Sequence, residues 1–204
     1  MNWWAVSRDV PTLAAVTAVT AGAGLAFGQS LIPVPAMVGG AGHFLLAALI
    51  TVVPAVTWLA FTGRARGATE SVAVRAVHRF DTSLAVGCAT LALGMAVLGH
   101  FAGAEPVALS IGRNTAFYLG LALILNPLTG ARIAAPVLTA VPLVLAVGGW
   151  KSGGGIAQPW AVVLHPAAST AALLAGVAVL VAGATFSSLK PPRNVFRLTH
   201  STGG

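Results

Sequence analysis

The stretch TGRARGATESVAVRAVHRFDTS, residues 62–83, interrupts an otherwise apolar chain and decides how that chain is organised. It holds four of the eleven Lys and Arg residues and two of the four Asp and Glu residues. On both sides the sequence returns to long apolar runs. Residues 62–83 are therefore predicted to be a partly helical loop between two membrane spans, on the cytoplasmic side.

The composition excludes a soluble protein. Of the 204 residues, 57% are hydrophobic and 7% are charged, whereas soluble domains carry about 25% charged residues. Apolar runs of about 20 residues, long enough to cross a bilayer as helices, recur along the chain. The fold class predicted is all-α, a polytopic membrane protein in which residues 1–204 form a single transmembrane domain.

Six spans are expected from the apolar runs. They cover residues 11–27, 43–61, 84–101, 107–126, 132–150 and 160–184, with a basic tail over 187–204. The fourth span has a clean apolar run of only 115–125, which covers about 17 Å of a hydrocarbon layer about 30 Å thick. To cross the membrane, the fourth span must therefore also include residues 107–114, which places Arg113 below the outer interface.

The distribution of Lys and Arg predicts the orientation, because cytoplasmic loops collect these residues. With six spans and both termini cytoplasmic, nine of the eleven lie inside, and only Arg113 and Lys151 lie outside. All five tryptophans fall near predicted span ends, as is typical of aromatic belts. The abundance of Arg, Ala, Gly and Val indicates a GC-rich bacterial gene, so the predicted location is a bacterial plasma membrane.

The second half of the loop has the pattern of a short amphipathic helix. Glu70 lies where a helix N-terminus favours negative charge, while Arg75, His78 and Arg79 fall on one exposed stripe and Phe80 on the opposite, apolar face. The stripe suits anionic lipid headgroups. It equally suits a groove on a cytoplasmic protein. Both interpretations use the same residues.

Arg113 and Asn114 form the other polar feature. An ionisable residue inside a membrane is expensive and is taken as functional by default, with Glu105 as its nearest candidate partner. One interpretation has Arg113 extending its side chain to the outer surface. In the other it lines a substrate path.

Three histidines, His43, His100 and His165, lie at the outer ends of spans two, three and six. Imidazoles on facing helices can ligate haem iron or copper, so a membrane redox protein is the alternative function. Against it, no helix carries two paired ligands. The single cysteine, Cys88, lies in an apolar run and supports neither a disulfide framework nor a cysteine metal site.

Catalytic and nucleotide-binding patterns are lacking in the sequence. The nearest imitation of a phosphate loop, GGWKS at 148–152, has Trp before the Lys and lies in a predicted outer loop. The sequence shows no Ser/His/Asp set and no zinc-binding His-Glu pattern. The basic charge is not clustered on a soluble face, which argues against nucleic-acid binding. The chain is predicted not to be an enzyme.

At sequence level the chain resembles the membrane-spanning permease subunits of type V ABC exporters, of a small actinobacterial kind. The resemblance lies in the six spans, the basic helical loop, and four segments: 32–35, 75–81, 113–114 and 159–166. It implies that residues 70–80 form a coupling helix against a separate cytoplasmic ATPase, which would hold ATP and Mg²⁺. It also implies that two permease chains, identical or related, line the path. The chain departs from the family in having only about ten residues before span one.

The leading hypothesis is therefore a permease subunit of an ATP-driven exporter, with no cofactor of its own. The alternatives are a haem- or copper-binding redox protein and an accessory structural subunit of a membrane complex.

Overall fold

The computed structural model describes residues 2–35, 41–64, 77–104, 107–151 and 156–190. Its helices are α1 Asn2–Ser7, α2 Val10–Phe27, α3 Leu46–Ile50, α4 Val53–Arg64, α5 Val77–Phe101, α6 Ala108–Thr129, α7 Ala131–Gly148 and α8 Thr170–Leu189. Two strands, β1 Leu31–Pro35 and β2 Ala41–Leu45, pair antiparallel between α2 and α3. A single 3₁₀ turn covers Val162–Leu164.

The predicted all-α, six-span architecture is confirmed. Within the described residues, six helical segments are long and apolar enough to cross a membrane: α2, α3 together with α4, α5, α6, α7 and α8. The short ribbon of β1 and β2 is an addition that the sequence did not predict. The chain thus has the architecture of a multi-pass membrane protein, while the side on which each terminus lies stays a prediction.

The helix bounds agree with the predicted spans to within about one helical turn for spans one, four and five. Span three is longer, since α5 begins at Val77 and absorbs residues predicted to be loop. Of the predicted loop 62–83, residues 62–64 belong to α4 and residues 65–76 lie outside the described part. Of the predicted tail 187–204, the first three residues complete α8 and residues 191–204 also lie outside it.

Spans two and six differ from the prediction. Residues 43–45 belong to β2, and span two is broken by a turn at Thr51 and Val52. Pro54, the second residue of α4, has a ring nitrogen that cannot donate to a helical carbonyl. Span six was predicted from 160, but α8 begins at Thr170 behind Ser169, whose hydroxyl accepts from the Ala172 amide. Pro166 disfavours helix in the residue before it, so the preceding segment stays irregular.

The bundle is built around α6. In an 18-residue window of α6, 78% of the residues are buried, against at most 50% in the other five spans. It packs on α8, α5, α7, α4 and α2. Because α6 faces protein rather than lipid, it can carry polar side chains that a lipid-facing helix could not. This is the span whose apolar run was too short.

Glycines set the close approach of α6 to α8. A Cβ on Gly120 would lie 2.7 Å from the Val179 carbonyl oxygen, and a Cβ on Gly183 would overlap the Gly120 carbonyl. Gly176 faces Arg113 in the same way, with its Cβ position 3.2 Å from the Arg113 carbonyl oxygen. Between membrane helices, small residues of this kind allow the backbones to meet and gain packing energy.

We call the two ends of the bundle the loop end and the hairpin end. The loop end carries Arg64 and Val77, which flank residues 65–76. The hairpin end carries β1 and β2, the connection between α5 and α6, and the segment between α7 and α8.

Replacing Gly183 by Ala tests the α6–α8 contact. The added methyl group has no space, so the free energy of unfolding should fall by about 1–3 kcal/mol. A thermal melt of the purified protein measures this change. Gly87 on α5 is the matched control, because nothing lies within 4 Å of its Cβ position. Gly87→Ala should melt at the wild-type temperature or slightly above it. Equal melting temperatures for the two variants would contradict the packing.

Candidate functional site

A buried ion pair at the loop end joins the start of α2 to the start of α5. Arg8, in the turn between α1 and α2, donates from Nε to Asp81 Oδ1 at 2.8 Å and from NH2 to Asp81 Oδ2 at 2.9 Å. The Arg8 side chain is 1% exposed and the Asp81 side chain 9%. Two parallel bonds of this kind fix both the distance and the relative orientation of the two groups.

Two tryptophans bind the same aspartate. Trp4 donates from Nε1 to Asp81 Oδ1 at 3.1 Å, and its ring lies 5.6 Å from that of Phe80. Trp58, on α4 and 1% exposed, donates from Nε1 to the Asp81 carbonyl oxygen at 3.0 Å. Asp81 therefore receives hydrogen bonds from three residues in two separate parts of the chain, the N-terminal segment and α4. The bonds from Trp4 and Arg8 satisfy a carboxylate that would otherwise be costly to bury, and the bond from Trp58 satisfies the Asp81 backbone carbonyl.

The same turn of α5 also contacts the end of α8. Thr82 Oγ1 donates to Ser187 Oγ at 3.0 Å, and His78 Nε2 lies 3.1 Å from the Ser188 carbonyl oxygen. We call this polar cluster the Asp81 joint. Its members are Trp4, Arg8, Trp58, His78, Asp81, Thr82, Ser187 and Ser188. The joint links α1, α2, α4, α5 and α8 within two turns of α5.

Three of the five residues predicted to bind a partner, His78, Arg79 and Phe80, fall on or beside the joint. Glu70 and Arg75 lie outside the described residues. Arg79 is exposed, and Phe80 is 37% exposed. The structure differs from the predicted exposed stripe at His78, which is half-buried and turned towards α8, because this part of the predicted loop is the first turn of a spanning helix.

At the hairpin end, Arg113 is enclosed by protein and 1% exposed. Its Nε donates to Asn114 Oδ1 at 3.1 Å. Its two terminal nitrogens donate to the carbonyl oxygens of His165 at 2.8 Å, Pro166 at 2.9 Å and Val163 at 3.5 Å. The guanidinium thus holds the irregular segment that precedes α8.

The sequence allowed an interpretation in which the Arg113 side chain extends to the outer surface, whereas in the structure this side chain is buried. The side chain turns inward because backbone carbonyls of a non-helical segment need donors that lipid cannot supply. Glu105, its predicted partner, lies outside the described residues. A role for Arg113 and Asn114 along a substrate path stays a prediction.

Two of the three histidines proposed as metal or haem ligands make other contacts in the structure. His165 Nε2 lies 3.1 Å from the Gln158 carbonyl oxygen, and the His100 ring stacks edge-on against Phe101 at 5.8 Å. The side chain of His43 lies outside the described part. Among the residues that the structure describes, no three His, Cys, Asp or Glu side chains are grouped to hold a metal ion.

Sequence reasoning missed the pairing of Arg8 with Asp81 and took Arg8 only as a cytoplasmic charge. One signal was present. Asp81 is one of four acidic residues, and it lies just before an apolar run, at the same predicted depth as Arg8. Opposite charges at equal depth in lipid are expected to pair. The partners from α4 and α8 left no comparable signal.

Comparison with known protein families, with curated proteins and with solved structures gives no match for this chain. Its function is therefore inferred from its own residues and their geometry.

Replacing Trp58 by Phe removes the indole donor to Asp81 and part of a buried ring. The free energy of unfolding should fall by about 1–3 kcal/mol, because a hydrogen bond and packing volume are both lost. Trp160, 54% exposed, is the control, and Trp160→Phe should melt with the wild-type protein. A thermal melt in detergent measures both variants. If Trp58→Phe were as stable as Trp160→Phe, Trp58 would contribute nothing to the joint.

Proposed function

We propose that this chain is the membrane-spanning permease subunit of an ATP-driven exporter, powered by a separate cytoplasmic ATPase that binds at residues 62–83. The observation that carries the proposal is the Asp81 joint. It lies at the point where the predicted partner-binding loop enters the bundle, and it connects that point to four other helices.

The geometry suits the transmission of movement. Residues 65–76 lead directly into Val77, the first residue of α5, and Asp81 follows about one turn later. A displacement of the loop by a partner would reach Asp81 through a continuous helix. Arg8 would have to follow, since separating a buried pair costs about 3–5 kcal/mol. The start of α2 therefore moves with α5.

Exposed groups beside the joint are available to a partner. Arg79 and Phe80 offer a charge and an apolar ring on the first turn of α5, directly before Asp81. The arginines of residues 62–76 would add positive charge, which favours encounter with an acidic groove. ATP and Mg²⁺ belong to the partner, and a second permease chain, identical or related, completes the path.

The broken second span supports transport rather than a passive role. The Ala48 carbonyl oxygen, just before the break, accepts from Thr51 Oγ1 at 3.2 Å and from Tyr118 of α6 at 3.3 Å. Discontinuous helices recur in transporters, where they form substrate sites and moving parts. With Pro54 next to it, the turn at Thr51 and Val52 is a natural hinge between α3 and α4.

A reversible cross-link between α5 and α8 tests the proposal. Thr82→Cys and Ser187→Cys, combined with Cys88→Ala, replace hydroxyl groups whose oxygens lie 3.0 Å apart, close enough for a disulfide. The variant is purified with its ATPase from native membranes, and ATP hydrolysis is measured after oxidation and again after reduction. Oxidation should suppress the permease-stimulated hydrolysis, and reduction should restore it, because the disulfide prevents α5 from moving relative to α8.

The two single-cysteine variants are the controls and should respond to neither treatment. Full stimulated activity in the cross-linked protein would reject coupling through the joint. If a tagged wild-type chain brings down no ATPase at all, the transporter assignment itself is rejected.

A further inference from the structure

Part of the segment between α7 and α8 is buried although it is not a regular α-helix. In residues 158–166, here called the plug, only Val162–Leu164 form a single 3₁₀ turn. Ala161, Val162 and Val163 are at most 6% exposed and belong to the main hydrophobic core. Irregular backbone at such depth is tolerated in a membrane protein only where protein or water encloses it. Here α6, α7 and α8 enclose the 3₁₀ turn.

The two ends of the plug are tied to the neighbouring helices by backbone and cap bonds. At the start, the Gln158 amide donates to the Gly149 carbonyl oxygen at 2.8 Å, next to the end of α7. At the far end, Ser169 caps α8. The ends are thus fixed independently of the middle. The end of α7 and the start of α8 are thus held by bonds that do not involve Val162–Leu164.

The second half of the plug is held by hydrogen bonds from one side chain of α6, in addition to the packing of Val162 and Val163 in the core. Arg113 donates to the carbonyl oxygens of three residues there: Val163, His165 and Pro166. In addition, His165 Nε2 contacts the Gln158 carbonyl oxygen, a bond within the plug that would survive its displacement. The guanidinium donors and the carbonyl acceptors satisfy each other's hydrogen bonds. Leaving either group without a hydrogen-bond partner in the apolar core would be costly.

We propose that residues 158–166 form a movable plug that closes the hairpin end of the bundle between α6, α7 and α8, and that Arg113 is its latch. When the latch is released, the plug swings out about its fixed ends and opens the space between the three helices. The inference goes beyond the coupling function, since it needs no partner and concerns the opposite end of the bundle. In a transporter this opening would be the gate on the side away from the ATPase.

The latch is tested by the reactivity of a buried cysteine. Val163→Cys is placed in a Cys88→Ala background, with Arg113 intact or replaced by Gln, and the protein is reconstituted in lipid nanodiscs. Both faces are then open to a water-soluble maleimide. Because reactivity follows the population of the locally open state, Arg113→Gln should speed the labelling of Val163→Cys by at least about tenfold. Arg113→Lys, which keeps the charge but not the fork of donors, should give an intermediate rate.

Two control positions separate a local opening from general unfolding. Leu138→Cys, on α7 and 0% exposed, should stay unreactive with Arg113 or Gln at position 113. Trp160→Cys, 54% exposed, should label rapidly in both and shows that the reagent reaches the plug. An unchanged rate at Val163→Cys would overturn the latch. Equal increases at Val163→Cys and Leu138→Cys would overturn it too, because Arg113 would then hold the whole bundle together.

Discussion

The bidentate pair between Arg8 and Asp81 is the interaction on which the loop end depends. Both charges are out of water, so each is tolerable only in the presence of the other. The pair fixes the entry of α2 against the first turns of α5. Trp4 and Trp58 bind the same aspartate, which brings α1 and α4 to that point. The arrangement thus joins α1, α2, α4 and α5 at the loop end.

The same physical rule shapes the other end of the bundle. Arg113 lies on α6, the span with the greatest burial, and it meets carbonyl oxygens of an irregular segment. In lipid each of these groups would be unsatisfied, so the protein encloses both. The two ends thus use buried arginines differently. One is paired with a carboxylate and joins helices, and the other is paired with backbone and holds a segment that can move.

Sequence reasoning recovered the number of spans because apolar runs of spanning length leave an unambiguous signal. The prediction of span boundaries failed where the sequence is apolar but the backbone is buried and irregular rather than helical. Ala161, Val162 and Val163 are as hydrophobic as any span, and they were placed in span six although α8 begins at Thr170. It also took residues 77–83 as loop because they are polar, whereas Asp81 and Thr82 are polar and buried. Their partners come from distant parts of the chain, and no local pattern could reveal them.

A double-mutant cycle on Arg8 and Asp81 tests the central claim most directly. Arg8→Met, Asp81→Leu and the double variant are compared with the wild type by reversible unfolding in detergent. Each single change leaves one buried charge alone and should cost about 3–5 kcal/mol, whereas the double change should cost clearly less than the sum. A coupling energy of about 2 kcal/mol or more is the predicted result. Additive losses would show that the two residues do not depend on each other, and the account of the joint would be wrong.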